Sequence, residues 1–184
     1  MSIKKVAWGI TGAGEKIEKT YKTMLNIKEE YEDSVEIYTY ISKGGLQVLN
    51  YYNILKDLKS NFEKVFVEKS SNYPFLAGDV QLHKFEFLLI APCTSNTMAK
   101  LAYGIGDTLI TNSVIMGQKS QVPIYIMPVD YKAGVTITKI PNGDDLKLEL
   151  TEEDVKPVKI VANRKFNTVF ENSEDIPKIF KKYF

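Results

Sequence analysis

The segment that most constrains this chain is the run Phe87-Leu88-Leu89-Ile90-Ala91 together with the hydroxyl-rich stretch directly after it. Five apolar residues without a polar break suit a strand buried on both faces, predicted over 85–91. The run passes straight into Pro92-Cys93-Thr94-Ser95-Asn96-Thr97, whose hydroxyl and amide side chains favour the start of a helix. A strand covered on both sides needs layers above and below it, so the rest of the chain must supply further strand–helix units.

Those units are legible. Residues 6–10 form a short apolar run that stops at the turn Thr11-Gly12-Ala13-Gly14. Ile17, Tyr21, Met24, Leu25 and Lys28 then fall on one helical face. A second strand is predicted over 35–41, ending at Ser42-Lys43-Gly44-Gly45, with a helical stretch through Leu46, Leu49, Leu55 and Leu58. Further strands are predicted over 65–67 and 123–127, and helices over 96–103 and 107–116. Strands alternating with helices define an α/β fold, a doubly wound, mainly parallel sheet of the Rossmann or flavodoxin-like kind. Beyond it, 135–140 and 146–150 flank Pro141-Asn142-Gly143-Asp144 and read as a β-hairpin appendage. Helices over 152–161 and 174–184 complete the expectation. With 184 residues, 44% of them hydrophobic, one domain over 1–184 is expected.

Charge and cysteine content exclude several functions. A net charge of +1 argues against a broad nucleic-acid or anionic-membrane footprint. The single cysteine, Cys93, rules out an internal disulfide and a four-thiolate iron–sulfur cluster within one chain. Any redox chemistry must then come from an organic cofactor. The opening residues lead directly into a strand-like run, and the longest apolar run is too short for a bilayer, so a cytoplasmic location is expected.

In a doubly wound sheet, ligands bind beyond the carboxyl ends of the strands. Three such ends here carry hydroxyls, glycines and turn residues: Thr11-Gly12-Ala13-Gly14, Ser42-Lys43-Gly44 and 92–97. Taken singly, each is an ordinary cap; at adjacent strand ends they form a phosphate seat. Gly9-Ile10-Thr11-Gly12-Ala13-Gly14 is not the G-x-G-x-x-G of dinucleotide sites, and the second strand lacks the terminal acid that would hold a nicotinamide ribose. The Walker pattern is also absent. A mononucleotide fits better, with its phosphate on Ser42 and the Gly12 turn and its ring near the Asn96 helix.

The segment 91–112 resembles the flavoprotein superfamily, and Trp8-Gly9-Ile10-Thr11-Gly12-Ala13-Gly14, Ala77-Gly78, Gln81 and Pro128-Val129-Asp130 are more similar to one branch of it, the archaeoflavoprotein family with the related dihydromethanopterin reductases. That family belongs to the flavoprotein superfamily that also holds dihydromethanopterin reductases and flavin-dependent cysteine decarboxylases. The resemblance implies FMN, lined by Thr11, Gly12, Ser42, Thr94, Asn96 and Thr97, with Ala13, Lys43, Pro92 and Ser95 alongside. It also implies an electron carrier between a ferredoxin-like donor and a redox acceptor protein, or alternatively a pterin reductase, in a trimer-based homo-oligomer. Gly78 stands where the decarboxylases carry their acid/base histidine, and Pro128-Val129-Asp130-Tyr131 replaces their substrate clamp, so decarboxylation is not expected. No catalytic residue is assigned. His83 is expected in a surface loop, Cys93 as a small buried hydrophobe, Trp8 in the core and Asp107 as a helix cap.

Overall fold

In the computed structural model, which describes residues 3–140 and 142–184, the central apolar run forms β4 (Leu88–Cys93), buried at all six positions. It pairs in parallel with β1 (Lys4–Ile10) and β5 (Ile124–Pro128). Beyond β1 lie β2 (Val35–Ile41) and β3 (Lys64–Val67), and beyond β5 lies β8 (Asn167–Val169). The six parallel strands run in the order β3-β2-β1-β4-β5-β8. The chain winds outward from β1, then returns to start again at β4, so the order reverses between β1 and β4. Helices cover both faces, giving the expected doubly wound sheet.

Period-two alternation divides the apolar side chains between two cores. Val6, Trp8, Ile10, Phe87 and Leu89 pack on one face beneath α1 (Ile17–Glu30) and α8 (Ile176–Lys181). Ala7, Leu88 and Ile90 pack on the other, with α5 (Ser95–Tyr103), α6 (Leu109–Lys119) and α7 (Glu152–Ala162). Adjacent residues of β4 thus belong to different cores, which is why the run is apolar throughout.

Several boundaries differ from expectation for local reasons. The helical stretch through Leu46 and Leu58 is two helices, α2 (Lys43–Tyr51) and α3 (Leu55–Asn61), broken where Asn53 takes a left-handed φ of 58°. The fourth strand begins at Leu88 instead of Phe85, whose ring packs edge-on against Tyr38 and Tyr40. A six-residue helix, α4 (Leu76–Gln81), was not foreseen. Asp107 does not cap α6: Thr108 does, in a reciprocal box with Thr111.

The hairpin is present as β6 (Gly134–Lys139) against β7 (Asp145–Leu150). Of its turn, Gly143 has φ 92° and its N–H donates to the Ile140 carbonyl at 2.8 Å, while Pro141 lies outside the described residues. The tail makes the sixth strand, a short 3-10 turn (Ser173–Asp175) and α8. Phe180 meets Phe87 edge-on, with ring centroids 5.2 Å apart.

Candidate cofactor-binding site

The cleft forms because β1, β2 and β4 end side by side, and a tight turn or a helix start follows each. Thr11 ties two of these ends together. Its hydroxyl donates to the Pro92 carbonyl at 2.9 Å and accepts the Thr94 N–H at 2.9 Å. Trp8 adds a bond from its indole N–H to the Ala91 carbonyl at 2.7 Å. Gly12 brings the first turn against α2: a Cβ there would meet the Gly44 backbone at 3.0–3.2 Å. Gly45 is tighter still, since a Cβ would lie 2.6 Å from the Ile10 carbonyl oxygen. Side chains at these positions would push the turn after β1 and the start of α2 apart, and with them two walls of the cleft.

Hydroxyls finish the helix starts. Ser42 caps α2 by accepting the Gly45 N–H at 2.9 Å, and Thr94 caps α5 by accepting the Thr97 N–H at 3.2 Å. The amides of Gly44, Ser95 and Asn96 have no main-chain acceptor among the described residues, as first-turn amides of a helix do not. They carry the positive end of the helix dipole into the cleft.

The result is a cleft of about 350 Å³ lined by Thr11, Gly12, Ser42, Lys43, Thr94, Asn96 and Thr97, all expected from the sequence. Three further expected residues do not line it. Ala13 is buried behind the turn, and Pro92 lies inside β4 and contributes its carbonyl. The Ser95 hydroxyl donates to the Asp130 carboxylate, which turns that side chain towards the loop after β5.

Sequence reasoning passed over Glu68, Thr108 and Ile110, which also line the cleft. Glu68 follows directly on β3, so the strand-end rule applied to β3 would have found it. It also passed over Lys16, whose ammonium donates to the carbonyls of Pro128, Val129 and Glu171 at 3.3, 3.3 and 3.0 Å. Lys16 fixes the first turn to the loops beyond β5 and β8, and its own backbone takes a left-handed φ of 64°.

The cysteine and the histidine stay out of the cleft, and the Glu68 and Asp107 carboxylates that border it are engaged by other groups. Cys93 is fully buried, and burial pushes its thiol well above the ordinary thiol range, so no thiolate is on offer. His83 is exposed in the turn after α4. Asp107 at the rim is held by Lys100 at 2.8 Å, a hydrogen bond that lowers its carboxyl below the usual range. Among the described residues no cluster of His, Cys, Asp and Glu gathers as a metal site. No helix among them is long and apolar enough to cross a membrane.

A parallel sheet with anion-seeking helix starts at its switch point defines an α/β cofactor-binding protein. The chain belongs to the flavoprotein family, whose sequence profile matches residues 1–140, in agreement with the resemblance and the FMN expectation drawn from its motifs. An uncharacterised protein of Methanocaldococcus jannaschii is 40% identical over 179 residues, covering 97% of this chain and 95% of that protein. The dihydromethanopterin reductase (acceptor) of the same organism is 37% identical over 149 residues, 78% of this chain, which spans only 60% of that enzyme's length. Burkholderia xenovorans DmrB in complex with FMN, described as a cubic protein cage for redox transfer, has the same fold. Its TM-score is 0.82 over 98% of this chain and 94% of that one, at 24% identity.

Proposed function

We propose that this chain binds FMN in the cleft and acts as a redox flavoprotein, carrying electrons from a ferredoxin-like donor to an acceptor protein. One observation carries the reading: hydroxyl-capped helix starts converge on the switch point of the sheet. FMN supplies the electron chemistry when bound, and the protein supplies binding and orientation. Ser42 has a hydroxyl proton to donate, since its oxygen accepts from Gly45. With the amides of Gly44, Ser95 and Asn96 it offers donors for a phosphate. The exposed Asn96 amide has no side-chain partner among the described residues and offers a donor and an acceptor at the mouth.

The protein as purified is expected to be yellow and to release FMN, not FAD, on acid treatment and chromatography. Ser42→Ala and Asn96→Ala should each weaken FMN about tenfold, the cost of a lost hydrogen bond to a charged group. Colourless protein that takes up no FMN would overturn the reading.

The reductase relative favours a second reading, in which a dihydropterin is the substrate. Anaerobic assays with reduced ferredoxin and with dihydropterin, run side by side, separate the two. Carrier function predicts fast reduction by ferredoxin, slowed as salt rises to about 0.15 M, where the Debye length is about 8 Å. Saturable dihydropterin turnover would make the protein the reductase. A homo-oligomer built from trimers belongs to the same proposal, supported by the exposed Tyr73, Phe75, Tyr103 and Ile105.

A further inference from the structure

Glu68 is 7% exposed, in the wall of the cleft. Carboxylates are almost never so buried without partners that answer their charge. Here the partners are main-chain amides of two different helices. The Lys43 N–H donates to Oε2 at 2.9 Å and the Leu109 N–H to Oε1 at 2.8 Å. Lys43 and Leu109 are the first residues of α2 and α6, so each carboxylate oxygen meets the positive end of a separate helix. Among the described residues no lysine or arginine forms an ion pair with Glu68. Its own N–H donates to the Ile41 carbonyl at 2.8 Å, which fixes it at the end of β2.

Three helices start at this cleft, and Glu68 already occupies the first amide of two of them. An arriving anion would meet donors that are taken and a charge of its own sign beside them. The first amides of α5, at Ser95 and Asn96, have no such internal acceptor. We infer that Glu68 is a positioning residue of the cofactor site. It is a built-in anion that clamps the starts of α2 and α6 to each other and keeps the cofactor's phosphate off the first amide of each, Lys43 and Leu109, leaving Ser42, Gly44 and the α5 amides to receive it. The second half of this statement rests on the flavin reading of the cleft; the clamp does not.

Glu68→Ala and Glu68→Gln in the full chain test it by hydrogen exchange and mass spectrometry. In Glu68→Ala, exchange in the peptides covering 43–46 and 109–112 should rise together, about tenfold or more, as both charge-assisted bonds are lost. Excess sulfate, against chloride at matched ionic strength, should slow both peptides again in the variant and leave the 109–112 peptide unchanged in the wild type, where only the Gly44 side of the cleft stays open to an anion. FMN affinity should fall by about tenfold in Glu68→Ala, because two walls of the site are released. Glu68→Gln keeps the volume and one acceptor, so one of the two peptides should stay protected. Unchanged exchange would overturn the proposal. So would a rise that sulfate does not reverse, which is the signature of lost packing alone, or equal protection of the 109–112 peptide by sulfate in the wild type. If the wild type binds no FMN, the flavin reading fails, while exchange and sulfate still decide the clamp.

Discussion

Glu15 and Lys16 stand side by side at the first turn, both half-buried, and loss of water is the main influence on each. Burial raises the Glu15 carboxyl, with Lys16 opposing and Asp130 adding to the rise. Burial lowers the Lys16 ammonium, although Glu15, Glu171, Asp130 and Glu174 pull it back up. A carboxyl raised above its unfolded value favours the folded state below that value and loses this contribution as pH rises through the folded value. At neutral pH the ionised Glu15 is therefore a small burden. Glu15→Gln should raise Tm by about 1–3 °C at pH 7, a size kept low by solvent screening, and the gain should vanish below about pH 4.5. Thermal melts of both proteins across that range check it; a lower Tm at pH 7 would show that the attraction to Lys16 outweighs desolvation. At this scale the sequence announced only what is local. Ser42 and Thr94 were legible because capping depends on the next three residues. The place of Glu68 at a strand end was legible too, but its clamp was not, because the amides it accepts from lie 25 and 41 residues away.

Elements that repeat a period over several turns or pleats were read with nearly the right bounds. The second strand was expected over 35–41 and is β2 (Val35–Ile41), since β-branched and aromatic residues fill six of its seven positions. The three residues of β8 and the six of α4 are too short to show a period, and only their neighbours hold them in place. Asn53 ended α2 early for a similar reason: a single left-handed residue interrupts a helical pattern without altering its apolar spacing. The junction of β1 with α2 supplies a prediction of its own. Gly45→Ala puts a methyl 2.6 Å from a main-chain oxygen that cannot turn aside, so α2 must move. The expected cost is about 1–3 kcal/mol, with FMN affinity lost in parallel because the caps of α2 move too. Denaturant unfolding and flavin titration measure the two effects; wild-type values for both would show that the helix start yields freely.

For the whole molecule, the tail beyond the family match turns out to close the core. Ile176 and Phe180 are fully buried, Tyr183 packs at a tilt against Phe87 with ring centroids 4.9 Å apart, and its hydroxyl bonds to that of Tyr125 at 2.9 Å. Burying each such side chain contributes about 1.5–3 kcal/mol, and the net stability of a domain is only about 5–15 kcal/mol. A chain ending after Ala162 should therefore lose its cooperative thermal transition, as calorimetry would show; a sharp transition near the full-length Tm would mean the tail is dispensable. The bonds that shape the cleft are also long-range. Trp8 reaches 83 residues along the chain to Ala91, and Thr11 reaches 81 to Pro92. Such closures come late in time, because two distant halves must meet before either bond is worth anything. A half-assembled chain has no cleft to offer. During refolding, the return of bound-flavin colour would thus mark the arrival of the finished protein and not the collapse that precedes it.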